Sequence, residues 1–169
     1  MKKILSITLL ALLSNLALAD MNSPYKMAII EGTQGAKDIR KGSYLKGIKD
    51  ISAHSQQQDD EVKVALEMNL CVAYANLNNI QQANASCDKA IYLSQQTTTQ
   101  DSLTQKLMAL ALNNRAIYKA QLTDFDGAFK DLVAALEIKK EAIIEANLLK
   151  LIQTQATQVQ FKNIQLSKV

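Results

Sequence analysis

Residues 67–74 read Glu67-Met68-Asn69-Leu70-Cys71-Val72-Ala73-Tyr74, and Ala83, Cys87 and Ala90 follow. Around them, Val64, Leu66, Leu77, Ile80, Ile91 and Leu93 extend an apolar pattern whose members recur mainly three and four residues apart. That spacing is helical. Asn78-Asn79 interrupts it and divides the stretch into two helices. The small side chains of Cys71, Ala83 and Ala90 let the two helices approach closely, and Tyr74 and Leu77 fill the space between them. Neither helix can bury its apolar face alone, so neighbouring pairs must stack.

A second window has the same layout. Asn113-Asn114-Arg115-Ala116-Ile117-Tyr118 leads into Leu122-Thr123-Asp124-Phe125-Asp126-Gly127-Ala128, followed by Leu132 and Ala135. A third, weaker copy comes earlier, where Ile39 to Ile48 reads as a helix end, a turn at Gly42 and a second helix. Gly47, Ala83 and Ala128 hold one register position, 36 and 45 residues apart. The second gap exceeds a 34-residue period by about eleven residues, or about three helical turns. This predicts a long helix from Ser102 to Gln121 after a polar loop over 95–100.

These windows resemble the tetratricopeptide repeat, whose pattern is W-x2-L-G-x2-Y, then A-x3-F, then P. Leu70, Tyr74 and Ala83 match it. Glu67 stands at the tryptophan position, Cys71 at the small one and Cys87 at the aromatic one. Tyr118 falls one place early, and Lys140 stands where the proline is usual. The resemblance covers roughly 28–160. It implies an all-α fold: a short right-handed α-solenoid of antiparallel helical hairpins, with repeats near 28–61, 64–97 and 109–142. A capping helix over 143–160 follows, then a tail over 161–169. Without the proline, one unbroken helix from Phe125 into the cap is an alternative, and an unrelated helical bundle is the alternative to the fold itself.

Composition agrees. The 169 residues include five glycines, one proline and no tryptophan, and 48% are hydrophobic. The formal charge of +3 lacks the excess expected of a nucleic-acid binder. Lys2-Lys3, an apolar run over 4–13 and the small-x-small Ala17-Leu18-Ala19 form the layout of a cleaved bacterial signal peptide. Residues 20–169 would then be exported to the periplasm or the medium, with no membrane span after cleavage.

Cys71 and Cys87 are the only thiols. By the repeat pattern they face each other across one hairpin. In an oxidising compartment they form a disulfide, or else they sit as two small buried hydrophobes. His54, in the polar stretch before Asp59-Asp60-Glu61, reads as a solvated loop residue, and those carboxylates read as complements to a helix dipole. No phosphate loop, nucleophile elbow or zinc motif occurs. The expectation is a protein without enzymatic activity, cofactor or metal. The resemblance implies a protein or peptide partner held in a groove near Met68, Asn69, Val72, Asn76, Asn113, Arg115, Ile117 and Gln121. Asn69, Asn113 and Asn114 are the candidates for gripping a peptide backbone. A self-associating helical module, forming a homodimer, is the alternative. A small-ligand carrier or an enzyme is a more distant one.

Overall fold

The computed structural model describes residues 25–54, 59–96 and 101–166. The signal-like residues 1–19 lie outside them. Among the described residues the protein is all-α, with seven helices and no strand. They are α1 (Ala36–Arg40), α2 (Tyr44–His54), α3 (Asp60–Asn76), α4 (Ile80–Gln96), α5 (Ser102–Gln121), α6 (Phe125–Ile138) and α7 (Ala142–Leu166). Consecutive helices pack on one another throughout, and α3 also touches α5, as α5 touches α7.

Three turns share one hydrogen-bonding plan. In the α3–α4 turn, Asn78 N–H donates to Ala75, Asn79 N–H to Tyr74, and Ala83 N–H to Asn79. The α5–α6 turn repeats this 45 residues on, with Thr123 donating to Ala120, Asp124 to Lys119, and Ala128 to Asp124. The α1–α2 turn repeats it 36 residues earlier, through Gly42 to Ile39, Ser43 to Asp38, and Gly47 to Ser43. Each turn has one left-handed residue at the same place: Gly42 (φ 80°), Asn78 (φ 54°) and Thr123 (φ 64°). Ala83 and Ala128 are fully buried, because the second helix of each pair must come close to the first. At Gly47 even a methyl group would collide with the side chain of Ile39.

The helix from Ser102 to Gln121 is present, capped by Asp101, whose side chain accepts from Leu103 and Thr104 N–H. Several details differ from the sequence reading. Gln95 and Gln96 continue α4 instead of opening the loop, and 97–100 lie outside the described residues. His54 ends α2, with its ring Nδ1 2.8 Å from the Asp50 carbonyl, so it is a helix-terminal residue and not a loop one. No unbroken helix joins Phe125 to the cap, because Lys139 is extended (φ −155°, ψ 130°). The last helix continues past 160 to Leu166.

The largest departure is at the start. Within 28–61, helix begins only at Ala36, and residues 25–30 are neither helix nor strand. This short segment, called the strap below, runs along the helices instead of joining their stack.

Candidate functional site

The strap lies against α3, α5 and α7, and a row of asparagine side chains holds its main chain. At the α7 end, Lys26 N–H donates to Asn147 Oδ1 at 3.0 Å. Asn147 Nδ2 donates back to the Lys26 carbonyl at 2.7 Å, and Asn113 Nδ2 reaches the same oxygen at 3.2 Å. At the centre, Ala28 N–H donates to Asn114 Oδ1 at 2.6 Å, and Asn114 Nδ2 donates to the Ala28 carbonyl at 2.8 Å. At the α3 end, Ile30 N–H donates to Asn69 Oδ1 at 2.8 Å, and Asn69 Nδ2 returns a bond of 3.0 Å.

A primary amide carries a donor and an acceptor side by side, as does one edge of an extended residue. Asn147, Asn114 and Asn69 therefore each act as one rung of a ladder that would otherwise need a neighbouring strand, and Asn113 braces the first rung. Residues 26, 28 and 30 are the ones gripped, since an extended chain turns the same edge every second residue.

The asparagines are themselves fixed. Asn69, Asn113, Asn114 and Asn147 are each 3% exposed or less, so their orientation is set by packing and by one another. Asn147 Nδ2 donates to Asn113 Oδ1 at 2.8 Å, and Asn113 Nδ2 to Asn114 Oδ1 at 3.3 Å. Asn69 also donates to Thr33 Oγ1 at 2.8 Å. Asn69 and Asn114 are 45 residues apart, the offset that relates their two turns, and Asn113 and Asn147 are 34 apart.

Strap side chains pack to both sides of the ladder. Tyr25, Ala28 and Ile30 contact the main core, whereas Met27 and Ile29 contact a second cluster around Val72 and Ala73. Tyr25 also donates its hydroxyl to Thr154 at 3.2 Å. Ala28 is the buried member, Lys26 is exposed, and the others are half-buried.

The structure brings together some of the sequence-predicted groove residues and separates others. Asn69, Asn113 and Asn114 grip the strap, and Val72 is buried beside it. Met68 (0% exposed) and Ile117 (1%) are core residues, which presents neither as a groove surface. Asn76 is exposed and bonds the Val72 carbonyl of its own helix, and Gln121 is exposed at the end of α5. Arg115 is held in ion pairs that link α5 to α4 and α6. It pairs with Asp131 at 2.7 Å and Asp88 at 2.9 Å, and those carboxylates raise its pKa above the usual arginine value. Asn147 was not singled out from sequence, although its 34-residue offset from Asn113 was a signal that could have found it.

Cys71 and Cys87 are joined by a disulfide that ties α3 to α4, with Cα atoms 5.0 Å apart. No known protein family, curated protein or solved structure matches this chain.

Proposed function

We propose that the protein is an exported, non-catalytic tetratricopeptide-like scaffold that binds a segment of another protein through its helical surface. One observation carries this reading: an asparagine ladder on α3, α5 and α7 that pairs with an extended main chain at every second residue. Such a surface recognises the shape and backbone of a peptide, and its neighbouring pockets select side chains. The three matching turns support a right-handed solenoid of hairpins, in which the first helix of each pair lines the groove. The signal-like layout over 1–19 and the Cys71–Cys87 disulfide support export to an oxidising compartment.

Random nonapeptides selected on the full chain test this. Selection should yield extended, largely apolar sequences whose affinity falls at least tenfold on Asn147→Ala. Failure to select any peptide, or selected peptides indifferent to Asn147 and Asn113, would take the binding site away from the ladder.

A self-associating module is the second reading. Leu149, Ile152 and Val159 are exposed along α7, which gives it an apolar seam. A molecular mass that rises with concentration, and that Ile152→Glu returns to monomer, would favour it.

A further inference from the structure

This inference rests on the groove reading above and concerns what controls access to the ladder. We infer that residues 25–30 are a displaceable self-ligand. The external ligand is an extended segment that replaces them rung for rung, with a small residue at the Ala28 position and apolar ones at the Met27, Ile29 and Ile30 positions.

Three observations support exchange. First, within the strap the ladder bonds only main-chain atoms, at residues 26, 28 and 30, groups that an extended polypeptide offers, and the bond from Asn69 to the Thr33 side chain falls in the link beyond the strap. Second, the strap is a half-open occupant. Lys26 is exposed, and Tyr25, Met27, Ile29 and Ile30 are each only half-buried. Third, the strap can leave without unthreading the helices. Helices α3 to α6 pack directly on their neighbours, and the strap joins α1 through residues 31–35. Within that link, Gly32 is left-handed (φ 80°), with open space around its α-carbon. The groove's architecture therefore does not depend on the strap as one of its walls.

The position requirements follow from burial. Ala28 packs in the main core at 9% exposure, so a larger or charged side chain there is excluded. Met27 and Ile29 meet an apolar cluster, which favours apolar side chains at both. The exposed Lys26 position is open to any side chain but proline, which lacks the N–H that Asn147 accepts.

A tethered segment acts at a local concentration of roughly millimolar, so it competes strongly with a free peptide. If the strap occupies the groove 99% of the time, the apparent dissociation constant of an external peptide rises about 100-fold. Weakening the strap should restore that affinity.

The test uses a fluorescent peptide with the sequence of residues 25–31 and the full chain, either wild type or carrying Ala28→Asp. The substitution drives a charge into the buried site and evicts the strap, while leaving every ladder asparagine in place. The peptide should bind the variant at least tenfold more tightly than wild type. Adding Asn114→Ala to the variant should abolish that gain. N-methylation at the peptide's Ala28 position should remove binding, whereas N-methylation at its Met27 position, which lies between rungs, should not.

Equal affinity for wild type and variant would overturn the competition while leaving peptide binding intact. No binding to a variant that keeps its helices and disulfide would overturn the self-ligand, and the nonapeptide selection would then decide the groove reading separately. Wild-type dimers linked by strap exchange would give the groove to a second copy and overturn the assignment to another protein. Native-state hydrogen exchange on wild type keeps the proposal testable even if the variant fails to fold. The Ala28 and Ile30 amides should open at least tenfold more readily than the core amides of α5. Exchange of both only through global unfolding would overturn it.

Discussion

Asn114 and Ala28 exchange a complete pair of hydrogen bonds, at 2.6 and 2.8 Å, between residues 86 positions apart. Both are buried, at 1% and 9% exposure, so water replaces neither bond readily. Asn114→Ala leaves the N–H and the carbonyl of Ala28 without partners, and unpaired buried groups cost about 1–3 kcal/mol. Thermal unfolding should fall by about 3–10 °C. Asn76→Ala is the matched control, since Asn76 is exposed and bonds only its own helix, and should change stability by less than about 0.5 kcal/mol. Equal effects at the two sites would mean that the ladder contributes nothing particular to folding.

The disulfide closes a loop between residues 16 apart. Limiting the unfolded chain in this way stabilises by about 3 kcal/mol. Reduction should therefore lower the melting temperature by roughly 10 °C. The non-reduced protein should also be two hydrogens lighter than the reduced one by intact mass. Alkylation of both cysteines without a reductant would contradict the bond.

Much of the helical frame was legible because it depends on side-chain size and spacing. Ala83 and Ala128 had to be small, and Asn78-Asn79 had to break the helix. The strap was not legible, for a physical reason. Residues 25–30 contribute main-chain groups to the ladder, and a backbone donor has no signature in the sequence. Their apolar character fits a core helix as well as an extended strap. Asn69, Asn113 and Asn114 stood out as polar residues within helical windows, whereas Asn147 was one polar residue in a helix that becomes polar anyway. Arg115 looked like an available cation because its partners are remote in sequence: Asp88 lies 27 residues before it on α4, and Asp131 lies 16 after it on α6.

Thr123 has φ 64°, a left-handed conformation that a β-branched residue disfavours. Asn78 takes the corresponding place in the α3–α4 turn with φ 54°, and asparagine tolerates that region. Thr123 is exposed, so its replacement gives up no packing. Thr123→Asn should stabilise by about 1 kcal/mol and raise the melting temperature by about 2–4 °C. A drop in stability would mean that the Thr123 side chain makes a compensating interaction.

Asp101 gives a prediction in pH. Its carboxylate accepts from the Thr104 N–H at 2.8 Å and the Leu103 N–H at 3.0 Å, capping the start of α5. The backbone bond from Thr104, ahead of the other hydrogen bonds, holds its pKa below the usual aspartate value of 3.8. A carboxyl whose pKa is lower folded than unfolded stabilises the fold above its unfolded value. That contribution disappears as pH falls through the folded value, because the unfolded state takes up the proton first. Wild type should therefore melt above Asp101→Ala by a constant margin from about pH 5 to 7, since an aspartate has an unfolded pKa of about 4. The margin should narrow below about pH 4, where protonation removes the charged cap. Melting curves of both proteins between about pH 2 and 7 measure it, and a margin independent of pH would assign the effect of Asp101 to something other than its ionised carboxylate.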